Sequence, residues 1–346
     1  MPATGFRFAS ARTANRLVAG VPAAARLARA FAQALPGEPL VITLADGGEL
    51  RAYTRAEIAR VAPGLHVRIE VTLHGAAIAG ETLPDTAMIA AIWARTARAP
   101  APPIDPEGAL SESGRTLIRA TAKPGDGMVS RHINRPLSQA VSGVLLRFAA
   151  IRPGHATALT ALIAAAMLAC LLTGTPHGLV AGAVLFQIAS VADGIDGEIA
   201  RATWRSSRRG ASLDSVTDGL TNVGFLLGAG TNYLLRGLAQ DAGVAIAAAA
   251  IMGIGLTLLG RHALRHDGHI HFDGLKATNL ATGSARSHLL KDITSRDFYC
   301  LFLLVMTIAG LLPLALKLFV GAITIWLIVT LRVVLLWPTP RPQRSR

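Results

Sequence analysis

The sequence predicts a mainly α-helical protein, a six-helix transmembrane bundle that follows a small N-terminal cytosolic α/β domain. Hydrophobic residues make up 51% of the 346 residues and charged residues 16%, whereas charged residues make up roughly 25% of an average soluble protein. The apolar residues are concentrated after residue 153. Six stretches there approach the roughly 20 residues that cross a hydrocarbon core. They are 155–174, 177–199, 212–236, 242–262, 298–316 and 318–337.

The N-terminal 99 residues show the pattern of a small α/β domain. β-Branched runs predict two strands, and apolar residues at helical spacing predict two helices. We interpret Gly47-Gly48 as a hairpin turn. The start of the chain is rich in arginine before its first acidic residue, Glu38, so a transit peptide is the alternative interpretation. The predicted strands are 39–44 and 66–73, and the predicted helices are 18–35 and 54–61.

Three further segments complete the predicted organisation. Residues 100–128 form a Pro-rich linker with a short helix near 108–122. Residues 129–150 alternate basic and apolar positions at helical spacing, which predicts an amphipathic helix lying on the membrane surface. Residues 151–340 then form the membrane domain.

The distribution of charge predicts the orientation in the membrane. The formal net charge is +13, which in a polytopic protein indicates positive cytosolic loops and anionic lipid partners rather than nucleic acid. The connections 201–209 and 261–296 are basic, so we expect both of them, and both termini, in the cytosol, with the protein in the cell (inner) membrane. Cys170 and Cys300 lie in apolar runs and are expected to be reduced.

Four aspartates interrupt the predicted second and third spans. Asp193 and Asp196 are three residues apart, and Asp214 and Asp218 are four apart, so each pair lies on one face of its helix. An aspartate at a helix centre in a membrane costs about 2.5–3.5 kcal/mol, so four of them need partners. A short loop joins the two spans, and the pairs are therefore expected to converge at the cytosolic end.

Converging carboxylates favour a site for two Mg²⁺ or Mn²⁺ ions, because these cations prefer oxygen ligands. Two such ions are a recurring device in phosphoryl transfer. Gly194, Gly197 and Gly210 leave room for a phosphorylated ligand near the backbone, and Arg201 offers a charge to phosphate. The sequence therefore predicts a phosphate ester as the substrate.

The motif as a whole resembles the signature of the CDP-alcohol phosphotransferase family. Asp193-x-x-Asp196-Gly197-x-x-Ala200-Arg201 is followed, after eight residues, by Gly210-x-x-x-Asp214-x-x-x-Asp218. The resemblance implies six spans, a homodimer and transfer of a phosphoryl-alcohol group from a CDP-alcohol to an acceptor hydroxyl, with release of CMP. It implies the following roles: Asp193, Asp196, Asp214 and Asp218 as metal ligands, Asp218 also as catalytic base, and Gly197, Ala200, Arg201 and Gly210 in the CDP pocket.

A second resemblance concerns residues 123–139, which are similar to the segment joining the two halves of archaeal proteins that pair an inositol-phosphate cytidylyltransferase with a di-inositol-phosphate phosphate synthase. It implies an inositol or inositol phosphate acceptor and CDP-diacylglycerol or CDP-inositol as the donor. Arg152, Lys291 and Arg296 are then candidates to contact the acceptor's phosphate. The alternative is that the polar loop 261–297 is only a solvated, positively charged cytosolic loop. It also implies that residues 1–99 are a shortened, inactive nucleotidyltransferase-like domain, whose deletion would spare activity.

Two alternatives remain open at this point. The acceptor could be glycerol 3-phosphate, serine or an amino alcohol. A non-enzymatic membrane protein that binds divalent cations would also place carboxylates in spans, but it predicts acidic residues near mid-bilayer on several helices, whereas these four cluster at one end of one helical hairpin.

Overall fold

The computed structural model describes residues 3–71, 76–123, 125–266 and 295–336. The chain divides into two compact units, which are described separately. The first unit comprises residues 1–121, 139–151 and 198–205, and the second comprises 122–138, 152–197 and 206–346.

The first unit contains a four-stranded parallel sheet and a two-stranded antiparallel ribbon. The strands are β1 (Ala3–Phe8), β2 (Leu17–Val18), β3 (Val21–Pro22), β4 (Leu40–Leu44), β5 (Val67–Glu70) and β6 (Ala76–Ala79). In the sheet they lie in the order β5-β4-β1-β6, and the ribbon pairs β2 with β3. Counted along the chain, the order in the sheet is 3-2-1-4, which is the order found in the first part of a doubly wound fold.

Helices cover the sheet of the first unit and complete its core. Phe6 of β1 stacks on Trp93 with ring centroids 5.8 Å apart, and Phe31 meets Trp93 edge-on at 5.4 Å. Aromatic pairs of this geometry are stabilising beyond their buried area. The helices are α1 (Ala11–Asn15), α2 (Ala23–Ala34), α3 (Ala52–Val61), α4 (Thr86–Trp93) and α5 (Pro106–Arg119), together with the C-terminal part of α6 (Arg135–Leu145).

The structure confirms the predicted strands and corrects three details of the N-terminal domain. The helix predicted from residue 18 begins at Ala23, because Gly20 has φ +81° and forms the turn between β2 and β3. Gly47-Gly48 is not a hairpin turn, since β4 and β5 are parallel and α3 connects them. Strands β1 and β6 were not predicted.

The segment predicted as a linker includes a helix of the first unit. Asp105 caps the N-terminus of α5 by accepting a hydrogen bond from the Gly108 N–H, and Leu110 is buried in the core. Arg16 pairs with Glu107 at 2.6 Å. The short helix expected near 108–122 is therefore present, and it packs into the domain.

The second unit is built from long helices. Four helices in the described part of the chain are long and apolar enough to cross a membrane: Pro153–Leu171, Pro176–Thr203, Ala239–Arg265 and Leu312–Arg332. The helices are α7 (Pro153–Leu171), α8 (Pro176–Thr203), α9 (Arg208–Leu235), α10 (Ala239–His266), α11 (Arg296–Ile308) and α12 (Leu312–Leu336).

The predicted count of six spans is not confirmed. Helix α9 has 28 residues, but the arginines and aspartates in its first turns reduce its hydropathy. Helix α11 has only 13 residues, because the stretch predicted as 298–316 is interrupted at Gly310, which has φ +73°. The residues after this break begin α12.

The helix predicted to lie on the membrane surface exposes apolar side chains and buries polar ones. A turn of π-helix, Ser130–Asn134, leads into α6. Large apolar side chains are exposed along one face, while the opposite face buries polar side chains at four-residue intervals. The exposed residues are Ile133, Leu137, Val141, Val144 and Phe148, and the buried polar residues are Ser130, Asn134, Ser138 and Ser142.

Replacing Phe31 with Ala should destabilise the first unit by about 3–5 kcal/mol, because it removes a buried ring from the core. Faster hydrogen exchange at the β4 amides of the intact protein would measure this loss. Phe31→Leu is the control, and it should cost about 1 kcal/mol because it keeps most of the volume. Unchanged exchange in the Ala variant would contradict the assigned core.

Candidate metal and phosphate site

Three of the four predicted aspartates converge in the second unit. Carboxylate oxygens of Asp193 on α8 and of Asp214 and Asp218 on α9 all lie within 4.8 Å of one another. The convergence follows from the i,i+4 spacing on α9 and from the short turn that joins the two helices. A group of oxygens at this separation has the chemistry that Mg²⁺ and Mn²⁺ require.

Asp196 lies one turn further along α8 and is buried. The Thr157 hydroxyl donates a hydrogen bond to its Oδ2 at 2.7 Å. Asp196 is also close enough to Asp193 and Asp214 to interact with both. It therefore belongs to the same acidic region, although its oxygens lie outside the group of three.

Arg296 supplies a positive charge to the acidic cluster. Its Nη1 lies 3.0 Å from Asp193 Oδ2 and also pairs with Asp218, while its Nε donates to Asn222 Oδ1 at 3.3 Å. One guanidinium pairs with two of the three converging carboxyl groups, so the residues present fit a site that takes further positive charge. Oxygen donors alone, with a basic residue beside them, match a divalent ion that binds phosphate.

A buried polar network lies next to Arg296, and sequence reasoning missed it. Asn134 donates to Asp297 Oδ1 at 2.9 Å and accepts from Gln187 Nε2 at 2.9 Å, while Ser190 donates to Asp297 at 2.9 Å. Because Asp297 follows Arg296, the network fixes the N-terminus of α11. The only signal in the sequence was the presence of polar residues on the apolar second span.

Arg135 is a second cation that the sequence analysis did not select. Asp126 holds it through two bonds, Nε to Oδ2 at 2.8 Å and Nη2 to Oδ1 at 3.1 Å. A Cβ on Gly194 would lie 2.9 Å from Arg135 Nη1, so the glycine between Asp193 and Asp196 admits this guanidinium. Gly194 was the one feature of the motif that could have indicated a close contact at this position.

The Asp126–Arg135 pair is stable at neutral pH. Burial would raise the pKa of Asp126, but the hydrogen bond and charge of Arg135 outweigh burial and hold the pKa below its usual value. Asp126 therefore stays ionised at neutral pH, and the stability that the pair contributes is lost only as the pH falls through the lowered pKa.

The remaining predicted site residues lie in several places. Gly197 is on α8 and Gly210 is in the first turn of α9, where its N–H donates to Ser207 Oγ at 3.0 Å; both belong to the second unit. Ala200 and Arg201 are in the part of α8 that belongs to the first unit, and Arg201 Nε donates to the Thr121 carbonyl at 2.8 Å. Arg152 is the N-cap residue of α7, and Lys291 lies outside the described residues.

An open cleft of about 520 Å³ in the first unit is not this site. Its lining includes Arg29, Gln33, Thr86 and Trp204. No motif aspartate is among the described residues that line it. The cleft is therefore distinct from the carboxylate cluster, whose three aspartates belong to the second unit.

The fold and the cluster define a membrane protein with an acidic, oxygen-rich site suited to divalent cations. Residues 151–337 match the CDP-alcohol phosphatidyltransferase family. This match covers more than half of the chain, which therefore belongs to that family and carries its phosphotransferase domain. The resemblance seen in the motif of α8 and α9 is confirmed.

Similar proteins share one name, bifunctional IPC transferase and DIPP synthase. The protein of this name from Thermococcus kodakarensis is 37% identical over 124 residues, which are 36% of this chain and 27% of the relative. The one from Archaeoglobus fulgidus is 33% identical over 124 residues, 36% of this chain and 24% of the relative. The one from Rubrobacter xylanophilus is 38% identical over 160 residues, 45% of this chain and 35% of the relative. The chain thus spans a quarter to a third of the length of these relatives.

Asp193→Asn and Asp214→Asn should each weaken Mn²⁺ binding about tenfold or more, because each removes a charged oxygen from the cluster. Titration of the purified protein with Mn²⁺, followed by electron paramagnetic resonance, measures the change. Asp241→Asn, in the first turn of α10, is the matched control and should bind like the wild type. Equal affinity in all three variants would show that the cluster does not hold the ion.

Proposed function

We propose that the chain transfers a substituted phosphate group from a CDP-alcohol to the hydroxyl of an acceptor and releases CMP. The observation that carries the proposal is the convergence of Asp193, Asp214 and Asp218 in a chain of the CDP-alcohol phosphatidyltransferase family. The reaction forms a bond from the acceptor oxygen to the β-phosphorus and breaks the bond from that phosphorus to the oxygen bridging it to CMP.

In this proposal the four aspartates, Asp193, Asp196, Asp214 and Asp218, hold two divalent ions, Mg²⁺ or Mn²⁺. When bound, the ions neutralise charge on the diphosphate and lower the pKa of the acceptor hydroxyl. The support comes from the oxygen donor set and from the excess of carboxyl groups over guanidinium groups in the cluster.

The other steps belong to side chains of the chain itself. Asp218 accepts the proton of the acceptor hydroxyl, and its ion pair with Arg296 fixes the orientation of the carboxylate. Gly197, Ala200, Arg201 and Gly210 are assigned to the CDP pocket on the family motif. Arg135, held by Asp126 next to Gly194, is added here as a cation for the donor's phosphates.

We propose an inositol-type acceptor, either inositol or an inositol phosphate, for the synthesis of an inositol phospholipid or phosphodiester. The support is the name DIPP synthase, which the relatives share. Arg152, Lys291 and Arg296 remain the candidates to contact the acceptor, and Arg296 is placed at the carboxylate cluster. CDP-diacylglycerol and CDP-inositol are the proposed donors.

The proposed setting is the cell membrane, crossed several times, with the carboxylate cluster and both termini facing the cytosol. The connection between α8 and α9 supports this orientation, since it and the adjacent helix ends carry Arg201, Arg205, Arg208 and Arg209. A homodimer is proposed on the family resemblance.

The test of the proposal is CMP release by the purified protein with Mg²⁺ or Mn²⁺. CDP-diacylglycerol and CDP-inositol are each crossed with inositol, inositol 1-phosphate, glycerol 3-phosphate and serine. Metal-dependent CMP from one pair that contains an inositol acceptor is the expected result. CMP only with glycerol 3-phosphate or serine would overturn the acceptor assignment, and no CMP from metal-binding protein would overturn the proposed transfer.

Asp218→Asn should abolish CMP release while leaving binding of the CDP-alcohol in place, because the amide keeps the shape of the side chain and cannot accept the proton. The expected fall in kcat is on the order of 10²–10⁴, measured with the substrate pair identified above. Asp241→Asn again serves as the control. Normal turnover by the Asp218 variant would remove this residue as the base.

A further inference from the structure

We propose that the N-terminal α/β domain holds the C-terminal end of α8, and that Arg26 and Arg60 are positioning residues for the helix that carries Asp193 and Asp196. The first unit contains Glu198–Arg205 together with this domain. The effect on catalysis rests on the proposed function, whereas the hydrogen bonds from the domain to the end of α8 do not.

The last carbonyl groups of a helix have no partners within the helix. Two carbonyl groups in the last turn of α8 accept hydrogen bonds from arginine side chains of the α/β domain. Arg26 Nη2 donates to the Ala202 carbonyl at 2.7 Å, and Arg60 Nη2 donates to the Thr203 carbonyl at 2.9 Å. Cations at this end also interact favourably with the helix dipole. The helix ends here because Trp204 has φ +53°.

Arg26 is fixed from the side of the domain as well. Its Nε donates to the Val18 carbonyl at 2.6 Å and its Nη2 to the Ala19 carbonyl at 2.9 Å, so one side chain ties the β2–β3 turn to α8. Burial lowers the pKa of Arg26 to about 9, which leaves it protonated at neutral pH. The guanidinium lies 4.7 Å from the centre of the Trp204 ring.

The contact at Gly20 shows how closely the turn approaches the helix. A Cβ at this position would lie 2.9 Å from Thr203 Cγ2 and 2.5 Å from Leu146 Cδ2. A side chain at residue 20 would force these methyl groups to move, and the φ of +81° also favours glycine.

A second anchor joins α3 to the residues that follow α8. Glu57 is buried and receives Arg60 at 2.7 Å and Arg205 at 2.6 Å. Burial would raise the pKa of Glu57, but the hydrogen bonds and charges of these two arginines outweigh burial and hold the pKa below its usual value. Glu57 therefore remains charged and links Arg60 of α3 to Arg205, which follows α8.

The usual ligand position of such a sheet is occupied by the chain itself. Ligands of doubly wound folds bind at the carboxyl ends of the strands, where the strand order reverses, here between β1 and β6. The buried Glu81 carboxylate lies at this place and accepts from the Ala9 N–H at 2.6 Å and from the Thr13 hydroxyl at 2.7 Å. We therefore assign the domain a structural role rather than a nucleotide site, and we expect its deletion to impair the enzyme.

The test compares Arg60→Met with Arg55→Met, an exposed arginine on the same helix, in the full-length protein. Arg60→Met should raise hydrogen exchange in Glu198–Arg205 about tenfold and weaken Mn²⁺ binding, while Arg55→Met changes neither. Arg60→Lys should restore part of both, because an ammonium group can still donate to the Thr203 carbonyl. In CMP release, kcat should fall while the KM for the donor stays within about twofold.

Arg205→Met removes the ion pair with Glu57 without altering a residue of the α/β domain. It should also raise hydrogen exchange in Glu198–Arg205 and weaken Mn²⁺ binding. The proposal would be overturned if Arg60→Met and Arg205→Met both showed the same hydrogen exchange and the same Mn²⁺ affinity as Arg55→Met. Faster exchange with unchanged Mn²⁺ affinity would overturn the positioning role. A wild type that releases no CMP contradicts the proposed function alone, since exchange and Mn²⁺ binding need no turnover.

Discussion

Uncompensated negative charge at the ends of apolar helices is the constraint on which the rest of the structure depends. Helices α8 and α9 bring three carboxyl groups together, with a fourth, that of Asp196, one turn away along α8, and such groups are costly without cations around them. Arg296 provides one cation within the chain. The geometry therefore favours a ligand that brings more positive charge, which is the property on which the proposed binding of divalent ions depends.

The same constraint explains why so many side chains serve to hold other side chains in place. Asn134, Gln187 and Ser190 fix Asp297 beside Arg296, and Asp126 fixes Arg135 beside Gly194. Charged groups a few ångströms apart interact strongly in a medium of low polarity, so small displacements change their energies considerably. Rigid surroundings keep the charges at the distances at which they attract rather than repel.

Local patterns in the sequence revealed the chemistry, because the aspartates repeat at helical intervals and a short turn joins their helices. The strands at 40–44 and 67–70 and helix α3 could also be predicted, since their periodicity is local. Strand β6 could not, because three of its four residues are alanine, which has little β-propensity. Strand β1 could not, because its Thr and Phe residues lie in an arginine-rich segment whose composition is also typical of a transit peptide. The contacts of Arg26 with Ala202 and of Asn134 with Ser190 join residues more than 50 positions apart, and no local pattern in the sequence indicates such pairings.

The π-helical turn and α6 expose apolar side chains and bury polar ones, and this distribution affects the surroundings in which the protein is stable. The polar side, Ser130, Asn134, Ser138 and Ser142, faces protein, and the apolar side faces outward. In water the apolar side would be poorly solvated, and in the hydrocarbon centre the basic residues of the helix would be poorly solvated. A location at the boundary between headgroups and acyl chains would satisfy both sides of the helix, as the sequence predicts. At that boundary Asn134 and Arg135 would be held at a fixed depth in the bilayer, so a change in bilayer thickness or headgroup charge would act on the protein much as a mutation in this helix would.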